Sequence, residues 1–311
     1  MKTNEIPTDR NQALRAQLVA MPIDTATGKF PRRKTQAGKA SPQPNRPRRK
    51  TRAIFALAAA GVGLMVVGQL NVTIQSAHAS EVLHATAEKS MNFTDPVPGN
   101  GQYLLVSTHA NWLVAGDGIK PHLAPQNIDV YVPSDANQEW VLDRDWGDKE
   151  TRREVVRAQY GDFYDSPWTV VGLQEMETMP RDGKALYELF NSQYQGRSAS
   201  RDEDNFVRIT DLLRTGLVPA DLRAGLYEAL ALVPGVSVSE NQKNSDGRSG
   251  TAIGRTEALR GGERSEIIID PNTGLVIGER DVMTIAAFGF GINNVTGHTA
   301  IDYQIVDSIP K

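Results

Sequence analysis

The chain has no cysteine among its 311 residues. Disulfides, zinc–thiolate sites, iron–sulfur clusters and thiol nucleophiles are therefore excluded, and any exported part must hold together by packing alone. Histidine is scarce. His78, His84, His109, His122 and His298 form no HExxH pair, and no two lie three or four residues apart. Gly247-Arg248-Ser249-Gly250 lacks the lysine of a phosphate loop, and Gly289-Phe290-Gly291 lacks the third glycine of a dinucleotide fingerprint. No GxSxG nucleophile elbow occurs. The acidic run from Asp143 to Asp148 lacks EF-hand spacing. These absences argue against an enzyme and give no catalytic residue, metal ligand or cofactor to name.

What is present is an uneven charge. Residues 1–52 hold 13 Lys or Arg against 3 Asp or Glu, which is +10, and the remaining residues hold 21 against 34, which is -13. Between the two lies the longest apolar run, Ala53–Val72, with no Asp, Glu, Lys or Arg from Ala53 to Ser80. About 20 such residues suffice to span a bilayer. Arg46, Arg48, Arg49, Lys50 and Arg52 precede it directly, the arrangement of a cytoplasmic flank that also attracts anionic lipid. The expectation is a cell-membrane protein with one transmembrane helix, its N-terminus cytoplasmic and its C-terminal domain extracytoplasmic. Cleavage after Ala77-His78-Ala79 is the open alternative. The tail 1–52 reads as mostly disordered, with a short helix near 8–21, and lacks the aromatic interleaving of a nucleic-acid binder.

Residues 73–100 read as a stalk with a helix over 80–92. The domain at 101–311 starts with short strand candidates, at Gln102–Thr108, Asn111–Ala115, Asp129–Val132 and Glu139–Leu142. The period then changes. Asp182–Gln193, Glu203–Arg214 and Pro219–Val233 each carry apolar residues at helical spacing, with Asp182 as a cap and Gly216 and Pro234-Gly235 as stops. Strands and tight turns resume after Pro234, including Asp270-Pro271-Asn272-Thr273-Gly274. The fold class is α+β, a large antiparallel sheet with about three packed helices. Trp112 and Trp140, facing Leu222, Leu226 and Leu230, are the candidate lining of an apolar pocket, against the alternative that all five simply fill a core.

Met179-Pro180-Arg181-Asp182, Ile209-Thr210-Asp211-Leu212-Leu213, Leu222-Arg223-Ala224-Gly225-Leu226-Tyr227-Glu228-Ala229-Leu230-Ala231 and Ile268-Ile269-Asp270-Pro271-Asn272-Thr273-Gly274 together resemble the actinobacterial CU-type family of single-pass membrane proteins. That resemblance implies a short cytoplasmic tail, one membrane helix and an exported domain, and it brings no reaction or catalytic set. The domain pattern is also distantly similar to half-barrels that bind lipids or lipoproteins. The resulting expectation is a membrane-anchored extracytoplasmic binding or sensory module for a lipid or envelope protein. The alternatives are an anti-sigma-like envelope-to-cytoplasm regulator with a cytoplasmic partner, and a purely structural envelope protein.

Overall fold

The computed structural model describes residues 76–116, 119–147, 153–165, 168–169, 171–196, 198–260, 262–286 and 290–310. Nine strands form one antiparallel sheet: β1 (Tyr103–Gly116), β2 (Ile119–Pro133), β3 (Glu139–Asp145), β4 (Arg153–Gln159), β5 (Val236–Lys243), β6 (Ser249–Glu257), β7 (Glu263–Ile269), β8 (Val276–Met283) and β9 (Val295–Val306). Their order is β4-β3-β2-β1-β9-β8-β7-β6-β5. Two meanders are thus joined by the β1–β9 pair, and β4 and β5 stand at opposite edges. The chain between these edges is helical: α2 (Leu173–Thr178), α3 (Gly183–Ser192), α4 (Arg201–Leu213) and α5 (Ala220–Ala231), with α1 at residues 76–92. Nine strands about 4.8 Å apart make a sheet roughly 38 Å wide when flat. A connection from edge to edge must cross one face, and helices are what cross it here.

That face carries the alternate residues of each strand. Leu104, Val106, Val130, Ile128, Trp140, Leu142, Ile253, Ile267 and Ile301 share one core with Leu186, Phe190, Phe206, Ile209, Leu212 and the α5 leucines. Each buried leucine contributes about 2 kcal/mol of transfer free energy. Local signals fix the helix ends. Asp182 accepts from the Ala185 N–H at 2.8 Å, and Ser200 accepts from the Glu203 N–H at 3.0 Å. Gly216, at φ +68, ends the helical turn beside Tyr303, where a Cβ would sit 2.0 Å from the ring.

The opposite face has its own small cluster of Ala252, Ile268 and Ile277. The β5–β6 turn folds over it. Asn244 Nδ2 donates to the Ile277 carbonyl at 2.7 Å, and the Ser245 N–H donates to the Thr299 carbonyl at 3.1 Å. Buried polar groups tie the helices to the strands. The Tyr227 hydroxyl donates to the Gly274 carbonyl at 2.6 Å, and burial pushes that phenol well above its ordinary pKa. The Arg223 guanidinium is 2% exposed. It pairs with Asp95 at 2.9 Å and donates to Ser90 Oγ at 3.3 Å and the Val218 carbonyl at 3.1 Å.

The expectation of a single-pass, cell-membrane protein is corrected. Among the described residues no helix is long and apolar enough to cross a membrane. The apolar run Ala53–Val72, the helix near 8–21 and the basic residues Arg46, Arg48, Arg49, Lys50 and Arg52 lie outside the described residues.

Arg223 supplies the sharpest stability test. Breaking a buried pair from one side costs about 3–5 kcal/mol. Arg223→Ala should lower the urea unfolding free energy by roughly that amount. A loss under about 1 kcal/mol would show that Arg223 does not hold α1 to α5.

Candidate functional site

The residues singled out for a pocket lie in or beside the shared core. Trp140 is fully buried, and its Nε1 donates to the Ala136 carbonyl at 2.9 Å. Its ring occupies space that Gly161 leaves open, since a Cβ there would lie 2.4 Å from Cε3. Leu222, Leu226 and Leu230 are fully buried on α5 in the same cluster as Trp140. Trp112 is half-buried at the margin, its ring 3.2 Å from where a Cβ on Gly297 would stand. Its Nε1, like that of Trp168, has no acceptor among the described residues. The lipid-sensing module attached to a membrane falls with the anchor.

A cleft opens between the start of α4 and β6–β7, lined by Glu203, Phe206, Val207, Arg255, Glu257, Arg260, Glu263 and Ser265. It admits about 20 Å³ of occupant, against about 10–15 Å³ for one water and some 300–1,000 Å³ for a typical ligand pocket. Its charges serve one another. Ser200 Oγ donates to Glu257 Oε2 at 2.6 Å, Arg255 Nη1 donates to the same oxygen at 2.8 Å, and the Leu259 N–H donates to Oε1 at 3.0 Å. Glu203 accepts from the Ala199 N–H at 2.6 Å and from Arg260. Ser200 is the N-cap of α4, and Glu203 reaches back past it to the Ala199 N–H, in a network that also pins the helix to the sheet. Burial pushes the Glu257 carboxyl up, but the Ser200, Leu259 and Arg255 donors outweigh it and bring it down from 4.5 to about 2. Among the described residues no three His, Asp or Glu side chains are grouped to hold a metal ion.

The other concentration of unusual geometry is at the β4 edge. Arg153–Gln159 alternates exposed and half-buried residues, with Arg153, Val155 and Arg157 on the outer row. Immediately after the strand the chain turns under the sheet. Tyr160 and Tyr164 have φ of 59 and 54, in the left-handed region that costs a non-glycine residue about 1–2 kcal/mol. Both are exposed, at 54% and 40%. Between them Phe163 is buried and meets Trp168 edge-on, with ring centroids 6.5 Å apart. The Tyr164 hydroxyl donates to Glu154, and burial together with that bond pushes the phenol up to about 12. Tyr and Arg are the side chains enriched at protein interfaces. The sequence reading started a helix at Glu203 but named neither its Ser200 cap nor the β4 strand. Ser200-Arg201-Asp202-Glu203 was a readable cap signature, and Arg153-Glu154-Val155-Val156 alternates at the period of a strand.

No family model and no curated protein matches the chain. Among solved structures, a chain of the Pseudomonas aeruginosa MucA/MucB complex is similar, with 10% identity and a TM-score of 0.30. The match covers 75% of this chain and 59% of that one, so this chain spans less than two thirds of its length. A likeness of that size fixes neither partner nor activity, and the functional reading rests on this chain's own geometry.

The Glu257 network makes stability depend on pH. A carboxyl lowered on folding stabilises above its unfolded pKa, and that stabilisation is lost as pH falls through the folded value. The window here runs from about 4.5 down to about 2. Ser200→Ala removes one donor and the cap, so it should cost about 1–2 kcal/mol at neutral pH, and because only the folded pKa rises, the acid decline should begin at the same pH but be smaller and end at a higher pH. Urea unfolding from pH 7 to pH 2 checks this. Identical acid profiles for the two proteins would exclude the network as the cause.

Proposed function

We propose that the chain is a protein-binding regulatory domain of the anti-sigma-like kind, one that holds a partner protein and converts no substrate. The observation that carries this reading is the β4 end of the sheet. There, exposed Tyr160 and Tyr164 in strained backbone conformations flank a row of Arg153, Val155 and Arg157. Strain at exposed residues persists where function uses it. The cleft charges support the same reading from the other side, because Glu203, Glu257, Arg255 and Arg260 are engaged with one another. A partner protein needs no deep cavity. It needs a few aromatic and arginine anchors beside apolar surface, and this edge supplies them.

Glycine at the two strained positions separates function from folding. Relief of left-handed strain offsets the extra chain entropy of glycine, so the Tyr160→Gly, Tyr164→Gly double variant should keep its stability within about 1–2 kcal/mol. Capture with the full chain from its native cells, quantified by mass spectrometry, should return one protein in near-stoichiometric amount, with a sigma factor expected for the anti-sigma-like kind. The double variant should capture at least about tenfold less, a loss of roughly 1.4 kcal/mol or more. Equal capture by both proteins, or no stoichiometric protein at all, would refute the reading.

A further inference from the structure

We infer that Ser80 is a covalent modification site: Ser80, His84 and Glu228 form a hydrogen-bonded relay that makes the Ser80 hydroxyl a nucleophile for an activated acyl group, carried by an aryl ester or a thioester. The acyl group stays on the chain, so nothing is turned over, and the inference stands apart from the protein-binding reading.

Ser80 Oγ lies 3.1 Å from His84 Nε2, and His84 Nδ1 lies 2.7 Å from Glu228 Oε2. A carboxylate only accepts hydrogen bonds, so Nδ1 carries the proton shared with Glu228. In the neutral ring that leaves the Nε2 lone pair for the Ser80 hydroxyl, which donates to it. Nucleophile, base and orienting carboxylate are thus joined through the atoms that acyl-transfer sites use. The other described imidazoles differ. His78 and His109 meet Glu240 and Asp246, while His122 and His298 meet the carbonyls of Lys120 and Lys243. In the hydrogen bonds of the described residues none of those four rings meets a hydroxyl.

The helices hold the three side chains in place. Ser80 and His84 are four residues apart on α1, which stacks them on one side of that helix. Ala79, Leu83 and Ala87 bury the neighbouring stripe in the core. Next to it α5 runs antiparallel, since Arg223 reaches Ser90 and Glu228 reaches His84. Gly183 lets α3 close on Glu228, because a Cβ there would sit 2.2 Å from the Glu228 Cβ. The His84 and Glu228 side chains are 54% and 38% exposed, so a reagent in solution reaches the relay.

The step balances on these atoms. As Ser80 Oγ bonds to the acyl carbon, its proton passes to His84 Nε2, and the bond from that carbon to the phenolic oxygen or thiol sulfur breaks. The leaving group takes the electron pair. The proton then leaves Nε2 for it or for water, which returns the ring to neutral. Ser80 stands inside a helix whose amides bond one another, so its own turn presents no free pair of N–H groups to an oxyanion. The relay therefore suits acyl carbons that bear a good leaving group, and not amides.

The probe is p-nitrophenyl acetate, applied to the full chain and followed by tandem mass spectrometry of its peptides. Ser80 should take one acetyl group, at least about tenfold faster than in His84→Gln. That is below the hundredfold or more of an enclosed general base, because water competes at an exposed one. Glu228→Ala should slow the acetylation as well. Proton–nitrogen correlation spectra across two bonds should show the neutral His84 ring as the Nδ1–H tautomer in the unaltered chain, and that preference should be lost in Glu228→Ala. Both substitutions are at partly exposed side chains, and matching far-ultraviolet circular dichroism checks that the fold is kept. No acetyl group on Ser80, acetylation of Ser80 at the same rate in His84→Gln, or an Nε2–H ring in the unaltered chain would overturn the proposal.

Discussion

An open antiparallel sheet carries two rows of backbone amides and carbonyls that no neighbouring strand satisfies, and the arrangement of this chain follows from where those rows fall. The first meander ends at β4 and the second begins at β5, on opposite edges. The segment joining them must travel the width of the sheet. An extended loop of that length would bury unpaired peptide groups against the apolar face, whereas helices satisfy their own. The α2–α5 layer is thus both the connection and the cover. Its amphipathic faces exist because the strands beneath present Val106, Val130, Leu142, Ile253 and Ile267 toward them.

Covering one face leaves the problem of holding α1, which lies before the sheet in sequence. Arg223 answers it from inside α5 by reaching Ser90 of α1 and Asp95 beyond it. A buried guanidinium is costly to desolvate, so its pairing adds less net stability than specificity: α1 fits in one register, with His84 beside Glu228 at 2.7 Å. Tyr227, one turn further along α5, fixes the same helix to the Gly274 turn. The domain is therefore held at its middle by polar contacts of defined geometry, around which apolar packing supplies most of the free energy.

The α+β class and the large antiparallel sheet were legible because period and punctuation agree. Asp182 and Gly216 mark ends of the helical region as capping chemistry requires, and the Asp270–Gly274 turn separates β7 from β8. Strand length was less legible. β2 runs for 15 residues through Pro121 and Pro125, which read as bends, and β4 was passed over because Arg-Glu-Val-Val-Arg-Ala-Gln suits a helix as well as an edge. The Leu222, Leu226 and Leu230 stripe was visible, yet periodicity alone does not tell a pocket wall from a filled core. Arg223 sits on the buried side of α5, where charge ordinarily signals solvent. Tyr160 and Tyr164 gave no sign at all, since nothing in a tyrosine announces a positive φ.

That last point bears on why the β4 end differs from the rest. The chain must leave the sheet there and dive beneath it at once, and Gly161 at φ 71 already supplies a residue free to make the turn. Phe163 and Trp168 supply the apolar plug. Folding therefore has uses for the glycine, the phenylalanine and the tryptophan, and for the Tyr164 hydroxyl, which donates to Glu154 of β4. Glycine at Tyr160 would relieve the strain and bury nothing less in the core, whereas glycine at Tyr164 would also remove the bond to Glu154. The tyrosines lower stability slightly while adding rigid, amphipathic surface next to the β4 edge of the sheet. On the protein-binding reading proposed above, these outward-facing rings are surface that another chain completes.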